Sequence, residues 1–145
     1  DKARATYKRL AINAELNSFF DDIPARLAAT HLLISRAGAS SVAEVMTVGR
    51  PAILVPYPHA VDDHQTFNAH SLDEAGGGWL MAQQTFTAEA LAERLAALFG
   101  MPAVLTRAAA CARTAGRPDA AIRLADVICE LIAANGEDNA DRRAA

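Results

Sequence analysis

Three short apolar runs, each followed by a turn and then by a helix-forming segment, constrain this chain more than any other feature. They are His31-Leu32-Leu33-Ile34-Ser35, Ala52-Ile53-Leu54-Val55 and Trp79-Leu80-Met81. Runs of this kind show little apolar–polar alternation, which marks strands buried on both faces. Strands that alternate with helices predict a parallel sheet with right-handed crossovers, an α/β fold. Open sheets of that class bind ligands outside the carboxyl ends of their strands. The residues that follow each run are therefore where chemistry is expected.

The intervening segments carry clear punctuation. Lys2 to about Leu10 reads as the tail of a helix, and Glu15 to Phe20 as a short strand or an extended connector. Asp21 and Asp22 offer an N-cap to a helix through about Ala29, with Pro24 tolerated in its first turn. Ser41 starts a helix that Gly49 ends. A polar loop through Pro56, Pro58, Asp62 and Asp63 leads to a helix from about His64 to Ala75, broken by Gly76-Gly77-Gly78. Thr87 caps an alanine-rich helix to about Phe99, and helices follow at roughly Ala103–Ala115 and Pro118–Ala134. The segment 135–145 is polar and is expected to be a disordered tail. Three or four strands are few for a nucleotide-binding sheet, and the chain opens at Asp1 without a Met. Both features predict an N-terminal truncation.

The 145 residues, 52% hydrophobic and 21% charged, suit one soluble globular domain. A net charge of −3 gives no electrostatic drive towards nucleic acid. No apolar run reaches the roughly 20 residues of a membrane-spanning helix, and the charged start has no signal-peptide pattern. Cys111 and Cys129 lack a second ligand at metal spacing and read as buried, reduced thiols. His31, His59 and His70 have no carboxylate or cysteine at ligand spacing and read as non-metal residues.

Four groups of residues at the strand ends are candidates for binding. Glu44 lies one turn into the helix after the first strand, where a carboxylate can accept two hydrogen bonds from a ribose diol. Ser41-Val42-Ala43-Glu44 also fits a capping box, in which Glu44 would turn back on the helix start. Gly38, Ala39, Ser40 and Ser41 form a small-residue turn that lets a phosphate approach free N–H groups at the positive end of a helix. Alternatively, the turn is only a tight connection that needs glycine. Arg36 is either a solvated charge or, aimed inward, a partner for phosphate or for Glu44. His64 and Gln65 open the next helix. They are either solvent-facing residues behind an aspartate cap or readers of sugar hydroxyls, which an amide can both donate to and accept from. Asn68, one turn on, joins them or hydrogen-bonds the loop that returns over it.

Taken together, Phe19-Phe20-Asp21-Asp22-Ile23, Ser35-Arg36-Ala37-Gly38-Ala39-Ser40-Ser41-Val42-Ala43-Glu44 and Asp63-His64-Gln65-Thr66-Phe67-Asn68-Ala69 are far more specific than any one of them. The stretch from about Phe19 to Ala75 closely resembles the C-terminal, donor-binding domain of the MurG family of bacterial transferases, and the likeness continues more loosely to about Ala134. The resemblance implies a GT-B-type, Rossmann-like domain, present in part over residues 1–134. It also implies inverting transfer of GlcNAc from UDP-GlcNAc to undecaprenyl-diphospho-MurNAc-pentapeptide, forming lipid II in peptidoglycan biosynthesis.

In that likeness Glu44 matches the acid on the ribose hydroxyls, and Ala39, Ser40 and Ser41 match the turn whose backbone faces the diphosphate. Arg36 matches an arginine that supports the site, and Phe20 and Ile23 match positions beside the uracil. His64 and Gln65 match the pair that reads GlcNAc, although His64 stands where some relatives carry glutamine. The catalytic base, the lipid-linked acceptor site and the contact with the cytoplasmic face of the inner membrane belong to an N-terminal domain that this sequence does not include. The chain alone is therefore expected to be inactive. No cofactor is implied: no Asp-x-Asp pair is present to hold a divalent ion, so no protein-bound metal is expected. Two alternatives share the fold. One is a soluble donor-binding subunit of a split GlcNAc transferase, and the other is a glycolipid glycosyltransferase with another acceptor.

Overall fold

A computed structural model describes the backbone of residues 2–144 and the side chains of residues 2–60 and 62–133. Helix α1 spans Lys2–Arg9 and is followed by an extended connector, so the stretch at Glu15 to Phe20 is not a strand. Then come α2 (Ile23–Ala29), β1 (Leu33–Ser35), α3 (Ala39–Val48), β2 (Ala52–Leu54) and a short 3-10 turn at Val61–Asp63. The chain continues with α4 (His64–Glu74), β3 (Gly78–Leu80), α5 (Ala88–Gly100), α6 (Pro102–Ala115) and α7 (Ala120–Ala144). The strands form one parallel sheet in the order β1-β2-β3, with Ile34, Ile53 and Trp79 in register. All three carboxyl ends therefore open onto the same edge.

The sheet carries a core on each face because successive strand residues point opposite ways. On one side Ala52 and Leu54 pack with Leu27 of α2, Val42 and Val45 of α3, Ala69 and Leu72 of α4, and Ala112 of α6. On the other, Ile53, Val55 and Met81 pack with Leu98, Leu91 and Leu95 of α5 and with Val104 and Leu105 of α6. Gly49 ends α3 in the left-handed region at φ +70°, and the N–H of Arg50 bonds back to the carbonyl of Val45 at 3.1 Å. Arg113 of α6 seals the same end by donating to the Val48 carbonyl at 2.6 Å.

Several expectations are corrected. β1 is not buried on both faces: Ile34 is 40% exposed, because β1 is an edge strand and the α5–α6 layer packs beneath β2 and β3. Cys129 is exposed and Cys111 is half-buried, so the pair of buried thiols is not found. Cys129 lies on α7, whose apolar residues Ile122, Leu124, Ile128 and Leu131 are exposed and join neither core. The backbone of α7 is helical through Ala144, across the stretch read from the sequence as a polar tail. Pro118 does not open α7 but lies in the turn before it.

Candidate functional site

At the end of β1 the chain turns through Arg36-Ala37-Gly38 and enters α3 two residues earlier than Ser41, the expected start. Gly38 holds the cap position in an extended conformation, φ −63° and ψ 144°, and its carbonyl accepts from Val42 at 3.0 Å. Ser41 becomes a first-turn residue, so the proposed capping box with Glu44 does not form. The cap residue is a glycine, with no side chain to offer. The first N–H groups of α3 lack helical acceptors, as at any helix start, and they carry its positive end.

Glu44, one turn on, lines a groove of about 400 Å³ between α2 and α3. Phe20, Ile23, Arg26, Ser35 and Ser41 line the same groove. Four residues singled out from the sequence, Phe20, Ile23, Ser41 and Glu44, are thus brought together. A second, more apolar hollow of about 300 Å³ adjoins it and shares Ile23 and Glu44. Arg26 was missed in the sequence, although its place four residues after Asp22 was a signal. Its guanidinium lies 4.0 Å from the centre of the Phe20 ring and bonds Asp22 at 2.5 Å and Glu15 at 2.7 Å. The Asp22 carboxylate is therefore spent on Arg26 and does not cap α2. The Arg26 hydrogen bond holds the Glu15 carboxyl below its ordinary value of 4.5, and the two carboxylates push the guanidinium further up. These contacts tie the connector to α2 beside Phe20, which lines the groove.

The remaining candidates are placed differently. Arg36 engages the loop after β2. Its Nη1 donates to the carbonyls of Val55 and Pro56, each at 3.2 Å, and its guanidinium lies 5.7 Å from the centre of the Tyr57 ring. It lines a separate cavity of about 270 Å³ with Val55, Gln83 and Phe86. Asn68 Nδ2 donates to the carbonyl of Ala37 at 3.0 Å, so it binds the loop over it and braces the turn before α3. Gln65 accepts through Oε1 from the Tyr57 N–H at 3.0 Å, which leaves its amide NH₂ for other partners. His64 and Gln65 line neither the Glu44 groove nor the cavity of about 290 Å³ beneath the β2–α4 loop. Asp63 sits at the α4 cap position at φ +52°, and its carboxylate accepts from the Thr66 hydroxyl at 2.7 Å rather than from the helix backbone. A further hollow of about 470 Å³ lies between β3 and α5, and no candidate residue lines it.

The site thus consists of a helix start, a carboxylate one turn along it, an aromatic and aliphatic wall, and a second loop braced against the first. Comparison with known proteins gives these features a family. Residues 1–124 match the glycosyltransferase family 28 C-terminal domain. The chain belongs to this family. This family 28 chain is 60% identical over 129 residues to the UDP-N-acetylglucosamine--N-acetylmuramyl-(pentapeptide) pyrophosphoryl-undecaprenol N-acetylglucosamine transferase of Paramagnetospirillum magneticum. The match covers 89% of this chain and 35% of that relative. The protein of the same name from Rhodospirillum rubrum is 60% identical over 128 residues, which is 88% of this chain and 33% of the relative. The crystal structure of Acinetobacter baumannii MurG shares the fold with a TM-score of 0.75 at 37% identity, over 80% of this chain and 33% of that one. The family 28 chain therefore spans about a third of the length of these relatives. Its architecture is the expected GT-B-type, Rossmann-like α/β arrangement.

Proposed function

We propose that this chain is the donor-binding part of an inverting hexosyltransferase that moves GlcNAc from UDP-GlcNAc to undecaprenyl-diphospho-MurNAc-pentapeptide, giving lipid II. The observation that carries the reading is Glu44, unconstrained by a capping box and facing a groove walled by Phe20 and Ile23, one turn past the start of α3. In this reading Phe20 and Ile23 flank the uracil and the Glu44 carboxylate accepts from the ribose hydroxyls. The amides of Ala39, Ser40 and Ser41 face the diphosphate, and His64 and Gln65 read the hexose. Relatives named for this transfer support the choice of donor and acceptor.

In the reaction, the acceptor hydroxyl oxygen bonds to C1 of GlcNAc as the bond from C1 to the β-phosphate oxygen breaks. The electron pair of that bond leaves with UDP, and the hydroxyl proton passes to a base supplied from outside this chain. Charge grows on the departing diphosphate, and the positive end of α3 is already oriented towards it, which is preorganised stabilisation. That helix end takes the part a cation would otherwise play, so no protein-bound metal belongs to the proposal. The lipid-linked acceptor places the transfer at a membrane surface, and the whole protein is proposed to sit peripherally on the cytoplasmic face of the inner membrane. Among the described residues, no single helix is long and apolar enough to cross a membrane.

Calorimetric titration of the chain with UDP, UDP-GlcNAc and UDP-glucose, with and without EDTA, tests this reading. UDP-GlcNAc is expected to bind more tightly than UDP-glucose, with no effect of EDTA. Equal affinity for the two sugars contradicts the choice of hexose, and loss of binding in EDTA contradicts the metal-free diphosphate site.

A further inference from the structure

We propose that Arg36 is a positioning residue for the sugar end of the donor site: it clamps the β2–α4 loop and does not serve as a ligand of the diphosphate. The proposal rests on the donor-site reading above and assigns a role within it. Arg36 follows directly on the last residue of β1, at the same sheet edge as the α3 start. Yet its guanidinium turns across to the next loop, where Nη1 bridges the carbonyls of Val55 and Pro56 at 3.2 Å each. The following residue, Tyr57, presents its ring to the same guanidinium at 5.7 Å and donates its N–H to Gln65 Oε1 at 3.0 Å. One unbroken series of contacts therefore runs from the end of β1, through residues 55–57, to the first turn of α4.

That loop has reason to need a clamp. Asp62 and Asp63 both adopt the left-handed region, φ +49° and +52°, which non-glycine residues enter at a cost. Such a conformation persists where surrounding contacts over-determine it. The two N–H bonds of Arg36 Nη1 reach the two carbonyls while the guanidinium carbon lies near the Tyr57 ring, contacts that a methionine side chain cannot make. Asn68 makes the reciprocal tie, from α4 back to Ala37. The two ligand-facing loops are thus cross-braced, and Arg36 supplies the strut that reaches Gln65.

The test compares the chain with its Arg36→Met and Arg36→Lys variants. For each, affinity for UDP and UDP-GlcNAc is measured by titration, and exchange of the Tyr57 amide by NMR without nucleotide. The clamp predicts that the UDP-GlcNAc to UDP affinity ratio falls at least about fivefold in Arg36→Met, the lower end of coupling between linked sites. It also predicts that Tyr57 exchange accelerates in Arg36→Met and that lysine, whose ammonium can donate to the same two carbonyls, restores both properties in part. A fixed ratio, with both ligands weakened together, would make Arg36 a diphosphate ligand and overturn the proposal. Unaltered Tyr57 exchange in a folded Arg36→Met chain overturns it as well, whether or not nucleotide binds. If the unsubstituted chain binds neither nucleotide, the donor-site reading fails, while the exchange result still decides the clamp.

Discussion

Replacing Glu44 by alanine is expected to weaken binding of uridine nucleotides by roughly tenfold to a hundredfold. A hydrogen bond to a charged group contributes about 1.5–3 kcal/mol, which corresponds to that range of affinity. The carboxylate lies in the groove with Phe20, Ile23 and Ser41 and is not consumed by a helix cap. The ribose hydroxyls can be removed from the other side of the same interaction. UDP made with 2′-deoxyribose should bind the unsubstituted chain more weakly than UDP, and the two should converge on the Glu44→Ala variant. That convergence is the coupling a double-mutant cycle measures. A variant that retains the full preference for ribose would remove Glu44 from the ribose site. One that loses thermal stability but no affinity would point back to a role in holding α3.

The second large effect concerns the scaffold. Leu72 of α4 is fully buried and fits against the glycine run that precedes β3. A Cβ on Gly77 would stand 2.6 Å from Leu72 Cδ1 and 2.9 Å from Ala112, so no larger residue fits there without displacement. The side chain thus locks α4 to the sheet at the point where the chain turns from helix to strand. Leu72→Ala is expected to cost about 2–5 kcal/mol, the range for deleting a buried leucine and leaving a cavity. Against a total stability of roughly 5–15 kcal/mol for an ordinary domain, that is a large fraction. Urea unfolding should show a lower midpoint with a nearly unaltered slope. A loss below about 1 kcal/mol would mean that the glycine notch collapses onto the shorter side chain. Because α4 carries Gln65 and Asn68, the same substitution is also expected to disturb the brace to Ala37.

The fold was largely legible because its signals are local. Apolar runs, Gly49, the Gly76-Gly77-Gly78 break and Thr87 each act within a few residues, and the Thr87 hydroxyl does accept from the Ala90 N–H at 3.1 Å. Burial was less legible, since it depends on what lies beside an element. Leu33, Ile34 and the stripe on α7 have the composition of core residues, but an edge strand and an unpacked helix leave Ile34, Leu124 and Ile128 exposed.

The site divides along the same line. Motif likeness brought Phe20, Ile23, Ser41 and Glu44 to one groove, but pattern alone could not separate a capping box from an open carboxylate. That choice turned on whether α3 begins at Ala39 or Ser41, a difference of half a turn. Nor could sequence foresee the direction of the long, flexible Arg36 side chain, although the bond from Asn68 to the loop over it, at Ala37 31 residues away, was one of its two readings. Side-chain partners between separate loops exist only once the loops are packed.

The most direct test of the donor site is an NMR titration of the isotope-labelled chain with UDP, following backbone amides and the Glu44 side chain. The account predicts that the largest perturbations fall on Gly38 to Ser41 and on Glu44, with Phe20 and Ile23 also responding. Perturbations centred instead on the hollow formed by Met81, Thr85, Glu93 and Arg94, with Glu44 silent, would contradict it.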